Sequence, residues 1–128
     1  MIYVDSSVAL AQLFAEDRVP PDNLWRQPLT ASRLLEYEVW NRLNARKLQR
    51  THGEDARALL NRVALIELAP EVLARALEPF PVPVKTLYAL HLASIEFMRG
   101  LGQKIELASY DERLVAAAQA IAIPVVAL

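Results

Sequence analysis

Two acidic residues lie far apart in this chain but in the same local setting. Ile2-Tyr3-Val4-Asp5-Ser6-Ser7 and Ile105-Glu106-Leu107-Ala108-Ser109-Tyr110-Asp111 are each an apolar β-type run stopped by an aspartate and a small hydroxyl residue. In a parallel sheet both runs deliver a carboxylate to the carboxyl edge, where open α/β folds place their ligands. Glu36 and Glu38 offer further carboxylates. They lie about 200° apart around a helix, so only one of them can face such a site. There is no cysteine, and His52 and His91 are the only imidazoles, too few for a three-histidine centre. Any metal ion here is therefore one held by oxygen, the donor that hard divalent cations prefer.

Each acid also has an ordinary structural account. Asp5 is a good N-cap for the helix that follows it. Ser109-Tyr110-Asp111-Glu112 fits a capping box, with Ser109 as the cap and Glu112 reaching back. Glu36 and Glu38 fall early in a helix, where the dipole favours acids, and Glu38 is spaced to pair with Arg42. His91, on a largely apolar helix, reads as a packed, hydrogen-bonded side chain rather than a ligand.

The elements that must position these residues are legible in outline. Strands are expected at 2–5, 29–32, 65–68, 104–108 and 125–128. Helices are expected at 7–15, 33–50, 54–63, 71–77, 84–99 and 111–121. The clearest helix is 33–50, where Leu35, Val39, Leu43 and Leu48 recur at near-helical spacing. Pro20-Pro21 and Pro79, Pro81 and Pro83 mark loops, while Gly100 and Gly102 mark a helix end. Strands alternating with helices imply parallel pairing through right-handed crossovers, hence a three-layer α/β/α sandwich with a mostly parallel central sheet.

Composition narrows the class. A chain of 128 residues with 54% hydrophobic content suits one domain, residues 1–128, around one core. A formal charge of −1 gives no general attraction to nucleic acid, so any such ligand needs a local basic patch. The longest apolar stretch, 114–128, is broken by Gln119 and Pro124 and falls short of the roughly 20 residues of a membrane span. A cytoplasmic protein is the expectation. With three glycines and neither GxGxxG nor a P-loop, a nucleotide-binding or phospho-receiver domain on a similar sheet is a poor reading.

Taken together, the motifs resemble the PIN domain, and in particular the VapC-type toxin ribonucleases of toxin–antitoxin pairs. The likeness runs along nearly the whole chain. It comprises Tyr3-Val4-Asp5-Ser6-Ser7-Val8, a Ser32-x5-Glu38-Val39 helix start, Ala89-Leu90-His91-Leu92-Ala93-Ser94, and Ala108-Ser109-Tyr110-Asp111-Glu112-Arg113-Leu114. The resemblance implies a PIN-like fold and a divalent-metal-dependent endoribonuclease. It makes Asp5, Glu38 and Asp111 the catalytic, metal-binding acids for Mg²⁺ or Mn²⁺, with Ser7 and Ser109 as small polar neighbours. It further implies an RNA substrate, a cognate antitoxin and a homodimer.

One position departs from the family. Before Ala-Leu-His-Leu-Ala the motif usually carries an aspartate, and this chain has Tyr88. A phenol with an ordinary pKa of about 10 is no ionised ligand near neutral pH. A unit charge pair at 4 Å in an effective dielectric near 20 is worth about 4 kcal/mol gross, so even a third of it shifts ion affinity about tenfold. Weakened cutting is one expectation, and a catalytically silenced domain that binds antitoxin or RNA is the alternative. Glu96, roughly 12 Å further along the same helix, is a poor substitute for the missing acid, and Glu36 and Glu112 are nearer alternatives. For phosphate contacts, Arg42, Arg46 and Arg113 are the candidates, within a local basic excess over 42–62 that also suits a solvated helix face. Trp25 and Trp40 suit base stacking or, more ordinarily, the core.

Overall fold

Strand β1 (Ile2–Val4) is buried at every residue, as expected for a central parallel strand covered on both faces. It pairs with β2 (Leu29–Ser32) on one side and β4 (Glu106–Ala108) on the other, and β3 (Val63–Ile66) flanks β2. In this computed structural model, which describes residues 1–128, the sheet order is β3-β2-β1-β4 and every pairing is parallel. The chain runs from β1 to β2 to β3 in one direction, then crosses back to lay β4 on the far side of β1. The switch point thus lies between the carboxyl ends of β1 and β4. There the register Val4↔Ala108 makes Asp5 and Ser109 neighbours, and the Asp5 amide donates to the Ala108 carbonyl at 3.0 Å.

The helices are α1 (Ser6–Phe14), α2 (Leu34–Ala45), α3 (Gln49–Leu60), α4 (Pro70–Ala76), α5 (Thr86–Gly100) and α6 (Glu112–Ala120). α1, α2 and α3 pack on one another, as do α4 and α5; right-handed crossovers put these two groups on opposite faces of the sheet. The core is one cluster of 27 buried residues, to which α2 contributes Leu35, Val39 and Leu43, all at 0% exposure. Truncating any of the three to alanine costs about 2–5 kcal/mol. No helix is long and apolar enough to cross a membrane.

Several elements differ from the sequence reading. The helix expected over 33–50 is two helices, because Lys47 adopts φ 56° and closes α2 with a Schellman pattern. Its amide donates to the Asn44 carbonyl, and that of Leu48 donates to Leu43. α3 then begins at Gln49 rather than at 54, and β3 begins at Val63 rather than at 65. The strand expected at 125–128 is reduced to one bridge, Leu107↔Val125, and a short 3-10 helix spans Asp22–Arg26. Trp25 and Trp40 have structural roles: Trp25 is buried and donates to Gln12, while Trp40 lies under the Arg57 guanidinium, 5.2 Å from its ring centre.

Candidate active site

Asp5 follows β1 and caps α1. Its Oδ2 accepts from the Ser7 amide at 3.3 Å, the Ser7 hydroxyl at 2.7 Å and the Ser109 hydroxyl at 2.9 Å. No hydrogen bond reaches Oδ1. Since no fully buried polar side-chain atom lacks a partner, that oxygen opens onto the cavity that Asp5 lines. Ser7 and Ser109 tie the two strand ends together, for Ser7 Oγ accepts from the Tyr110 amide and Ser109 Oγ from the Asp111 amide, each at 2.9 Å.

Asp111 is itself the N-cap of α6, in place of the Ser109 expected from the capping-box pattern. Its Oδ1 accepts from the Arg113 and Leu114 amides at 3.0 and 3.2 Å. Its Oδ2 accepts a hydrogen bond from the Tyr88 hydroxyl. That bond to a carboxylate, with burial and the charge of Asp111 adding to it, pushes the Tyr88 phenol up to about 12. Tyr88 is therefore a neutral donor, seated on one of the acids it would have to join.

Glu38 arrives from the second turn of α2. Its Oε2 accepts from Ser6 Oγ at 3.2 Å, and its Oε1 lies 2.6 Å from Nε2 of His91 on α5. His91 is buried, and its Nδ1 meets the Tyr3 hydroxyl at 2.6 Å. Burial holds the Tyr3 phenol far above its ordinary value.

Asp5, Glu38, Tyr88 and Asp111 line one open cavity of about 740 Å³. Arg42 lines it too. Arg46 and Arg113 do not: the Arg46 guanidinium lies 4.9 Å over the Phe14 ring, and the exposed Arg113 acts on Tyr88 through its charge. Glu36 faces elsewhere, 3.8 Å from Arg33; Glu96 pairs with Arg75 at 2.9 Å; Glu112 lines a separate cavity. The sequence reading missed Glu16, Asp17 and Arg18, which follow α1 and also line the site. They lie in a loop with no periodic pattern. Arg18 stacks 4.7 Å over the Tyr110 ring.

By chemistry the three carboxylates suit a hard divalent cation. By arrangement they are not gathered for one. Both oxygens of Glu38 and both of Asp111 are engaged, and no three acidic or histidine side chains converge closely enough to grip an ion. With Tyr88 on Asp111, an ion held by all three acids has to displace the phenol from Asp111 Oδ2.

No protein-family profile and no curated protein sequence matches the chain. Solved structures do. A toxin–antitoxin complex from Klebsiella pneumoniae contains a chain that superposes with a TM-score of 0.70 at 18% identity, over 99% of this chain and 97% of that one. VapC20 of Mycobacterium tuberculosis, a sarcin–ricin-loop-cleaving toxin, superposes with a TM-score of 0.64 at 21% identity, over 91% and 95%. At such identities the likeness concerns the backbone alone, and what it establishes is that this chain has the α/β fold of the VapC-type toxins that its motifs resemble.

Proposed function

We propose that the chain is a divalent-metal-dependent endoribonuclease of the PIN, VapC-like toxin kind, with Asp5, Glu38 and Asp111 as its working acids and its cutting held low by Tyr88. The observation that carries this reading is the meeting of those three acids, from three separate elements, on one cavity at the switch point of a VapC-like sheet. An ion bound there would supply the positive charge that neutralises a scissile phosphodiester and activates water for attack. The chain's own part is positional. The serine pair fixes Asp5, the α6 cap fixes Asp111, and Arg42 is placed to meet a phosphate oxygen. Mg²⁺ or Mn²⁺ is the ion we assign, and RNA in the cytoplasm the substrate.

An antitoxin partner is part of the proposal, supported by the Klebsiella neighbour's being a toxin–antitoxin complex. The acids lining the cavity outnumber its arginines, so a basic partner segment suits it. A homodimer follows from the family resemblance.

The test is RNA cleavage in Mn²⁺ by this protein, its Tyr88→Asp variant, and that variant carrying Asp5→Asn as well. A slow parent, a Tyr88→Asp enzyme faster by about tenfold or more, and loss of cutting with Asp5→Asn are expected. Equal rates in all three would overturn the assignment. A second reading is favoured by the Tyr88–Asp111 contact: a silenced domain that binds without cutting. A parent with no turnover beside an active Tyr88→Asp variant selects it.

A further inference from the structure

The deepest polar feature of the molecule is a chain of hydrogen bonds behind Glu38. The Ser32 amide, at the end of β2, donates to the Tyr3 hydroxyl oxygen at 3.0 Å. Tyr3 is fully buried, and its hydroxyl meets His91 Nδ1 at 2.6 Å and lies close to the Ser94 hydroxyl as well. A carboxylate can only accept, so the hydrogen between this buried histidine and Glu38 is carried by Nε2. That proton points at Glu38 Oε1, 2.6 Å away, while Ser6 donates to Oε2. Leaving a buried group of this chain unmatched carries a full desolvation penalty.

From this network we infer that Tyr3 and His91 are positioning residues: Tyr3 braces the His91 ring from behind, and the His91 Nε2–H holds Glu38 as an oriented carboxylate on the cavity wall. The role rests on the nuclease reading above and deepens it, because it names what fixes the one working acid that is not a helix cap. Asp5 and Asp111 are pinned by backbone amides of the helices they begin. Glu38 lies inside α2 and has no such amide, so its aim comes from side chains behind it. Hydrogen-bonding partners behind a metal-binding or catalytic group are worth ~10–100-fold in affinity or activity.

The experiment has two arms. In the unmodified protein, ring nitrogen NMR reads the Nε2 proton directly; a protonated Nε2 bonded to Glu38 is expected on His91, with that signal and the Glu38 carboxyl carbon signal both changed in Tyr3→Phe. In the Tyr88→Asp background, Mn²⁺ affinity by calorimetry and RNA cleavage are compared across Tyr3→Phe, His91→Ala and His91→Gln. Glutamine presents an amide N–H close to where Nε2–H lies. His91→Ala should weaken Mn²⁺ binding and lower kcat by ~10–100-fold with KM little changed, and His91→Gln should restore most of both. A His91 with no proton on Nε2 overturns the inference. So does a His91→Ala variant equal to its parent, or a His91→Gln variant no better than alanine. If Tyr88→Asp neither binds Mn²⁺ nor cuts, the nuclease reading fails, and the ring and carboxyl signals still decide the relay.

Discussion

A carboxylate has two oxygens, and at Asp5 and Asp111 the structure divides them. One oxygen of each accepts a backbone amide and starts a helix, while the other is turned to the site. The capping account, open in the sequence, therefore holds for both acids and leaves one oxygen of each for the site. Tyr88 is the residue whose effect is most open to measurement. Its phenol is pushed up to about 12 from an ordinary 10.0, mainly by donating to Asp111. A pKa raised in the folded state means that this contact contributes in full below about pH 10 and is lost as pH climbs through the folded value. Through the neutral range the contact does not titrate. Phenolate absorbance titration of the parent against Tyr88→Phe should show one phenol missing at the alkaline end, near 12. The stability gap between the two proteins should narrow over the same window. A missing phenol at the ordinary value would mean that Tyr88 is free of Asp111.

At the scale of elements, this chain ends its helices with little help from glycine. α1, α2, α5 and α6 each close with an amide reaching back to the carbonyl five residues earlier: Glu16 to Ala11, Leu48 to Leu43, Gln103 to Met98 and Ile123 to Ala118. The residue before each of these amides is left-handed, and only Gly102 among them is glycine. The others are Ala15, Lys47 and Ala122, at φ 48°, 56° and 59°. That is why the sequence marked the end of α5 and ran α2 into α3. A side chain in the left-handed region costs roughly 1–2 kcal/mol, and glycine returns part of that as chain entropy. Lys47→Gly should therefore raise stability by about 0.5–1 kcal/mol, read from the urea midpoint at unchanged slope. A loss of stability would show that the Lys47 side chain contributes more than its backbone strain costs.

Over the whole molecule, charge is near balance but unevenly placed. A net −1 is spread across the chain, whereas Asp5, Glu16, Asp17, Glu38 and Asp111 share one cavity with only Arg18 and Arg42. Such a cleft repels a phosphate backbone unless cations are present. Short single-stranded RNA should bind weakly in chelator, and more tightly in Mn²⁺ for Tyr88→Asp than for the parent, as read by fluorescence anisotropy at fixed ionic strength. Equal binding in chelator and Mn²⁺ for both proteins would place the RNA surface elsewhere, for instance along Arg50 and Arg57 of α3.

By itself the sequence determined the alternation of strands and helices, the parallel sheet and the two aspartate-bearing strand ends. These follow from hydrophobic period and from short-range punctuation, which act within a few residues of each position. It also exposed Tyr88, because a missing acid is visible in a motif. Tertiary structure decided the rest. The register of β1 against β4 put Asp5 beside Ser109, the crossover to α5 brought the Tyr88 hydroxyl onto Asp111, and His91 was placed between Tyr3 and Glu38. It likewise took Arg46 away from the cavity and brought the loop acids Glu16 and Asp17 to it. Those outcomes depend on groups distant in the chain finding hydrogen-bond partners in a shared, partly dry space, and no local pattern of residues encodes that pairing.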